Sequence, residues 1–420
     1  MTDRLYYTDP YLREFDATIV RVDRRDERVL VTLNHTAFYP TSGGQPFDTG
    51  WLGPDRVIDV VDEEDGTITH VIDAGGPNPI PEPATVPDRR TLELEPGESV
   101  HGVIDWDRRF DHMQQHTGQH VLSAAFDRVF GVRTVSFHLG AAVSTIDLAR
   151  EMSSTEIAAA EAEANRVVWE DRPVAIRFAE AEEAARLPLR KESARPGLLR
   201  LIDVEGFDLS ACGGTHVART GGIGLIAVAA WERFKGGQRL EFLCGGRALS
   251  GYRGLRDSMT ASVRLLSVLP TELPQAIERL QTDARDHKKS VAALQSELGR
   301  YRAEELAASA DVVQLKSVGS LPGSRCRLVA RVIEGDAAAL KNMATAIVAK
   351  PGFVVVLVST ATPPLIVVAR SADVAMSAQF LVTQLTEEFG GRGGGRSELS
   401  QAGGLNGQHV VILNAAKDKL

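Results

Sequence analysis

The sequence predicts a multidomain α+β protein, and three observations carry that prediction. The chain has 420 residues, whereas an ordinary domain holds about 100–200. Its apolar pattern changes period: short alternating runs before residue 95 give way to helical spacing, which becomes four-three spacing between residues 271 and 308. β-type apolar runs then return over residues 311–420, beside a glycine-rich stretch. The expected order is a β-barrel-like domain (1–95), a mixed α+β domain (96–250), a long helical coiled-coil segment (251–310) and a C-terminal α/β domain (311–420).

Each part has its own signal. In the first, "ATIVRVD", "RVLVTLNHTAFYP", "RVIDVVD" and "TITHVID" read as strands separated by Gly, Pro and Asp. The proline-dense "GGPNPIPEPATVPDRR" then reads as a linker. In "DRRFDHMQQHTGQHVLSAAFDRVFG", Phe110, Met113, Val121, Leu122 and Phe126 define a helix that Gly131 stops. Strands follow around "TVSFHLG" and "STIDL", and Ser153 or Ser154 caps a helix through "SSTEIAAAEAEANRVVWED". "GIGLIAVAAWERFKGGQRLEFLCG" predicts a hairpin with a Gly-Gly turn. Ile277, Leu280, Ala284, His287, Val291, Leu294, Leu298 and Tyr301 form a coiled-coil seam suited to pairing with another helix or a second copy of the chain. At the end, "FGGRGGGRSELSQAGG" reads as a loop whose backbone amides at Gly394 and Gly395 can approach a phosphate or sugar, with Arg392 and Arg396 adding charge.

Composition narrows the function classes. Hydrophobic residues make up 43% and charged residues 25%, which fits a globular protein and excludes a disordered or membrane-embedded one. No apolar run reaches the roughly 18 residues of a membrane span, and the N-terminus lacks the pattern of a secretion signal. A cytoplasmic protein is expected. Cys212, Cys244 and Cys326 are odd in number and far apart, which disfavours a disulfide framework. The net charge of -9 argues against broad attraction to phosphate backbones. A nucleic-acid contact would need local basic patches, and "RLPLRKESARPGLLR" supplies one with Arg186, Arg190, Lys191, Arg195 and Arg200.

The chemistry concentrates in two segments. "CGGTH" places Cys212 and His216 at the ends of a flexible glycine pair, and "HMQQHTGQH" places His112, His116 and His120 four apart on the predicted helix. Adjacent helical histidines share a face, but two steps of four turn through about 80°, so one outer histidine falls outside. Three imidazoles and a thiolate make a tetrahedral zinc set without redox chemistry. With four protein ligands, such a set either expands to five with water or positions substrate while another group handles the proton.

These residues resemble the AlaX family, free-standing editing proteins similar to the C-terminal portion of alanyl-tRNA synthetase. "FYPTSGGQPFDTG" (38–50), "RLEFLCGGRA" (239–248) and the terminal glycine-rich stretch extend the likeness in order along nearly the whole chain, as in the long form. A related His/Cys pattern belongs to threonyl-tRNA synthetase editing domains, but the "SGGQ" stretch and the glycine-rich end favour the alanine branch. The resemblance implies that His116, His120, Cys212 and His216 hold Zn2+ and form the catalytic set, with His112 outside. It also implies hydrolysis of serine, or glycine, from misacylated tRNA(Ala), and a C-terminal domain that binds tRNA and self-associates into a homodimer. Ser136, Phe137 and His138 fall where the family's amino-acid pocket lies. An alanine site excludes neither glycine nor, strongly, an added hydroxyl, so a second hydrolytic sieve is required. That sieve needs a polar group for the serine hydroxyl or the substrate ammonium, for which Ser136, His138 and Gln119 are candidates. Gln45 either touches the acceptor end or holds a turn. The competing readings are a non-catalytic tRNA-binding protein with structural zinc, and editing of another misacylated tRNA. Aminoacylation is disfavoured, since no portion resembles the module that activates alanine with ATP.

Overall fold

Alternation in the N-terminal runs closes into a barrel. In the computed structural model, which describes residues 1–25, 28–73, 94–190, 197–316 and 325–420, strand β1 (Glu14–Arg25) turns Phe15, Ala17 and Ile19 inward and leaves Val20 exposed. With β2 (Arg28–Leu33), β3 (Gly50–Leu52), β4 (Asp55–Asp62), β5 (Ile68–Asp73) and β6 (Ser99–Ile104) it forms a closed barrel in the order β1-β2-β5-β4-β3-β6. The barrel therefore runs past the boundary at 95, because β1 and β3 both need β6 as a partner. The proline-dense linker at 75–90 lies outside the described residues.

Helix α1 (Trp106–Phe130) follows at once. Asp105 caps its start by accepting from Arg108 N, and Gly131 ends it in the left-handed region at φ 64°. Arg109 on its first turn is fully buried and ties the helix to the barrel, donating to Asp48, to Pro10 O at 2.8 Å and to Ala37 O at 2.5 Å. Beyond it come β7 (Thr134–Leu139), β8 (Ser144–Leu148), α2 (Ser154–Trp169), β9 (Val174–Glu180), β10 (Leu198–Val204), β11 (Asp208–Ala211), β12 (Ile226–Phe234) and β13 (Gly237–Cys244). They form the sheets β12-β13-β8-β7 and β9-β10-β11. Ser153 and Glu156 complete a capping box on α2. Met113, Leu122 and Phe126 of α1 pack with Ile157, Ala164 and Val168 of α2 in one core. The β12–β13 turn differs from the Gly-Gly expectation. Phe234 pairs with Gly237, and Lys235 and Gly236 are the two turn residues, both at positive φ.

The chain divides into two units, Met1–Ser262 and Val263–Leu420, and the division falls inside α3 (Gly245–Leu266). In the second unit α4 (Leu273–Ala308) is helical as the spacing demands, but Leu280, Val291, Leu294 and Leu298 of its seam are exposed. At its end, Ala303 and Ala307 join the core formed by Leu340, Met343 and Ile347. The helical segment is thus not a separate linker throughout; its last turns belong to the C-terminal core. The C-terminal sheet comprises β14 (Asp311–Gln314), β15 (Arg325–Ile333), β16 (Phe353–Ser359), β17 (Leu365–Arg370), β18 (Arg392–Gly395) and β19 (Leu399–Gly403), in the order β14-β15-β16-β17-β19-β18. Helix α5 (Ala337–Val348) packs with α4 in one core, while α6 (Ala378–Phe389) and α7 (His409–Lys419) contribute to another.

The glycine-rich stretch is not a loop. Arg392–Gly395 is an edge strand paired with β19, Gly394 opposite Gln401 and Gly395 opposite Ser400. A Cβ on Gly393 would lie 2.6 Å from Gln401 O, so glycine is what allows the strands to approach. Among the described residues no helix is long and apolar enough to cross a membrane.

Candidate metal centre

Four ligand atoms meet inside the first unit. His116 and His120 project from one face of α1, while Cys212 and His216 sit at the two ends of the loop that leaves β11. Their ligand atoms lie within 4.8 Å of one another. Cys212 Sγ is 3.3 Å from His116 Nε2 and 3.4 Å from His216 Nε2. A tetrahedral ion with bonds of about 2.0–2.3 Å sets its ligands roughly 3.3–3.6 Å apart, so the donor set and the two sulfur–nitrogen distances suit a metal ion. Gly214 makes this possible. A Cβ there would stand 2.1 Å from His116 Cε1 and 3.0 Å from Gln45 Oε1.

Each histidine is held at Nδ1, leaving Nε2 for an ion. His120 Nδ1 lies 3.0 Å from Asp208 Oδ2, and Arg190 Nε donates to Asp208 Oδ1 at 2.6 Å. His216 Nδ1 faces Thr117 Oγ1 at 3.2 Å; that hydroxyl donates to Met113 O, so it accepts from the imidazole. His116 Nδ1 meets Gln45 Oε1 at 2.8 Å. The electrostatics are uneven. Burial works against a charged His120, but hydrogen bonds to Asp208 and Cys212 outweigh it and raise its pKa to about 9. Burial, reinforced by the neighbouring His116, lowers His216 to about 3. Burial opposes ionisation of Cys212, yet His116 and His216 hold its pKa well below the usual thiol value, which favours the ligating thiolate.

The other predicted residues separate by location. Gln119 is buried beside His120; its Nε2 donates to Ser123 Oγ at 2.9 Å, and its Oε1 has no partner among the described residues. Gln119, His120, Ser136, Phe137 and Arg190 line a cleft of ≈ 40 Å³. The Ser136 hydroxyl donates to Asp147, which Arg239 also holds. His138 is exposed on β7. Gln45 is fully buried; its backbone holds a turn with Ser42, and its side chain meets His116 and Thr215. Arg190 is engaged by Asp208. Arg200, read as part of a surface patch, is instead buried, donating to Cys212 O at 2.7 Å and Gly214 O at 2.9 Å. Its second terminal nitrogen has no partner among the described residues. Lys191 and Arg195 lie outside the described residues. Gly394 and Gly395 belong to the second unit. His112 is buried and outside the ligand cluster. Sequence reasoning missed Asp208 and Thr117. Asp208 had only the weak signal of a charged residue opening an apolar strand, and Thr117 only its place between two candidate ligands.

A closed barrel joined to an α+β domain with a Cys/His cluster defines the class: a multidomain α+β protein with a candidate metal centre. Residues 199–241 match the family described as "Threonyl and Alanyl tRNA synthetase second additional domain". The chain is 31% identical over 428 residues to "Alanyl-tRNA editing protein AlaX-L" of Pyrococcus horikoshii, covering 100% of this chain and 98% of that protein. It belongs to the AlaX-L family of alanyl-tRNA editing proteins. It is also similar to "Alanine--tRNA ligase" of Pyrococcus abyssi (32% identity) and Pyrococcus furiosus (34%), with 95% of this chain aligned but only 42% of each ligase spanned. A solved structure, the C-Ala domain of Aquifex aeolicus alanyl-tRNA synthetase, matches at 22% identity and a TM-score of 0.22, covering 26% of this chain and 98% of its own.

Proposed function

We propose that this chain is a trans-editing hydrolase that cleaves the aminoacyl ester of misacylated tRNA(Ala), with serine and glycine as the amino acids released and zinc as its metal. The observation that carries this reading is the cleft beside His120, where a buried amide oxygen, Gln119 Oε1, has no partner among the described residues. A buried acceptor without a partner costs about 1–3 kcal/mol, and a substrate ammonium or serine hydroxyl satisfies it. Phe137 lines the same cleft and packs 5.9 Å from the His116 ring, and the cleft's ≈ 40 Å³ leaves little room for a larger side chain. When bound, zinc supplies a Lewis-acidic anchor that orients the substrate. The protein does the rest of the positioning: Asp208, Thr117 and Gln45 fix the imidazoles, and Gln119 fixes the amino acid. Arg190 and Lys191 are proposed contacts to the acceptor end, and Gly394 and Gly395 contacts of the C-terminal domain with tRNA.

The test is a panel of charged tRNAs. Selective release of serine or glycine from tRNA(Ala) supports the reading, and indifference across the panel refutes it. Four protein ligands also suit a closed structural site, which favours the alternative of a non-catalytic tRNA-binding protein. Chelation with the fold monitored separates the two. Turnover lost while the fold persists assigns the metal to the reaction; turnover retained removes it.

A further inference from the structure

The "SGGQ" stretch lies in the connection between barrel strands β2 and β3, yet its glutamine ends inside the metal centre. Gln45 is fully buried, and its backbone is pinned by reciprocal bonds with Ser42, at 3.1 Å and 2.9 Å. Three bonds fix its side chain. Thr215 N donates to Oε1 at 3.1 Å, Nε2 donates to Thr215 Oγ1 at 2.8 Å, and Oε1 lies 2.8 Å from His116 Nδ1. Thr215 N can only donate, so the atom it meets must be the amide oxygen. That oxygen can only accept, so His116 must carry its proton on Nδ1. Nε2, the nitrogen facing Cys212 Sγ, is then left with its lone pair. His120 and His216 receive their partners, Asp208 and Thr117, from the α+β domain itself. Gln45 alone among the three partners comes from the barrel.

We infer that Gln45 is a positioning residue through which the barrel completes the metal centre: its amide selects the Nδ1–H form of His116 and simultaneously fixes Thr215 in the loop between Cys212 and His216. Metal retention and the seating of the barrel on the α+β domain are then one event. The inference rests on the metal-centre part of the functional reading and not on the substrate.

The experiment uses the full chain loaded with zinc. Long-range ¹H–¹⁵N correlation spectra report which His116 nitrogen holds the proton, and competition with a chromophoric chelator gives the zinc affinity. In the native protein His116 is expected to show a protonated Nδ1 and a metal-bound Nε2. Gln45→Leu removes all three bonds and is expected to weaken zinc by about 10–100-fold. Gln45→Glu keeps an acceptor for both N–H groups, lets the Thr215 hydroxyl donate in turn, and is expected to stay within about 3-fold of native affinity on the same grounds. Metal bound through Nδ1 of His116 would overturn the inference without any variant, so a Gln45→Leu protein that fails to fold does not shield it. Native affinity in Gln45→Leu, or equal loss in Gln45→Glu, would overturn it as well. A native protein that releases no amino acid from tRNA while zinc still depends on Gln45 would sink the substrate reading and leave this one standing.

Discussion

Two glycine-rich stretches in this chain do opposite work. In "CGGTH" the missing side chain at Gly214 lets His116 and Gln45 come together, and polar groups from three segments meet there out of water. In "GGRGGGR" the missing side chains let an edge strand approach its neighbour, and Arg392–Gly395 is exposed throughout. Glycine content therefore does not identify a site; buried polar groups converging beside the glycine do.

The largest effect should come from Gly214→Ala, whose Cβ collides with the His116 ring. Zinc binding should be abolished in a titration. Asp48→Ala tests the barrel's anchorage to α1, because it strands the fully buried Arg109. Denaturant unfolding should show a loss of about 3–5 kcal/mol, the usual result of breaking a buried pair. Acid should next destabilise the first unit. Burial lowers the pKa of His70 in the barrel from 6.5 to about 4, so between those values the unfolded chain binds a proton that the folded chain refuses. Stability then falls as pH falls through that window, by about 3 kcal/mol. His112 is lowered to about 4 as well and acts in the same direction. Asp208→Asn removes the anion beside His120 and should weaken zinc about 10-fold. The smallest effect belongs to Gly394→Ala, where a Cβ meets nothing within 4 Å. Its thermal stability should stay within about 0.5 kcal/mol of native.

Much of the architecture was legible because it is local. Alternation gave the barrel strands, and Asp105, Gly131 and Ser153 mark helix ends through their own backbone bonds. Long-range pairing was harder to read. The strand that closes the barrel lies beyond a proline-dense stretch, and nothing in Ser99–Ile104 alone names β1 and β3 as its neighbours. The same limit applies at the site. His116, His120, Cys212 and His216 carry metal-binding side chains at suggestive spacings, and the fold brings them together. Gln45, Asp208, Thr117 and Arg200 are ordinary residues whose roles arise from partners far away in sequence. Arg200 misled for that reason: beside other arginines it reads as surface charge, but its strand carries it under the Cys212 loop.

That arginine also bears on how the cysteine should be probed. The Arg200 guanidinium sits among carbonyl oxygens and the Tyr7 ring with no carboxylate hydrogen-bonded to it among the described residues, and the Cys212 sulfur is the leading opposing influence on its burial. Exchanging Cys212 for alanine would delete a candidate metal ligand and also remove a favourable neighbour of an interior cation. Loss of the proposed activity from that exchange would not by itself indict the sulfur, and a control carrying a neutral residue at 200 would be needed to tell vanished coordination from a perturbed interior charge.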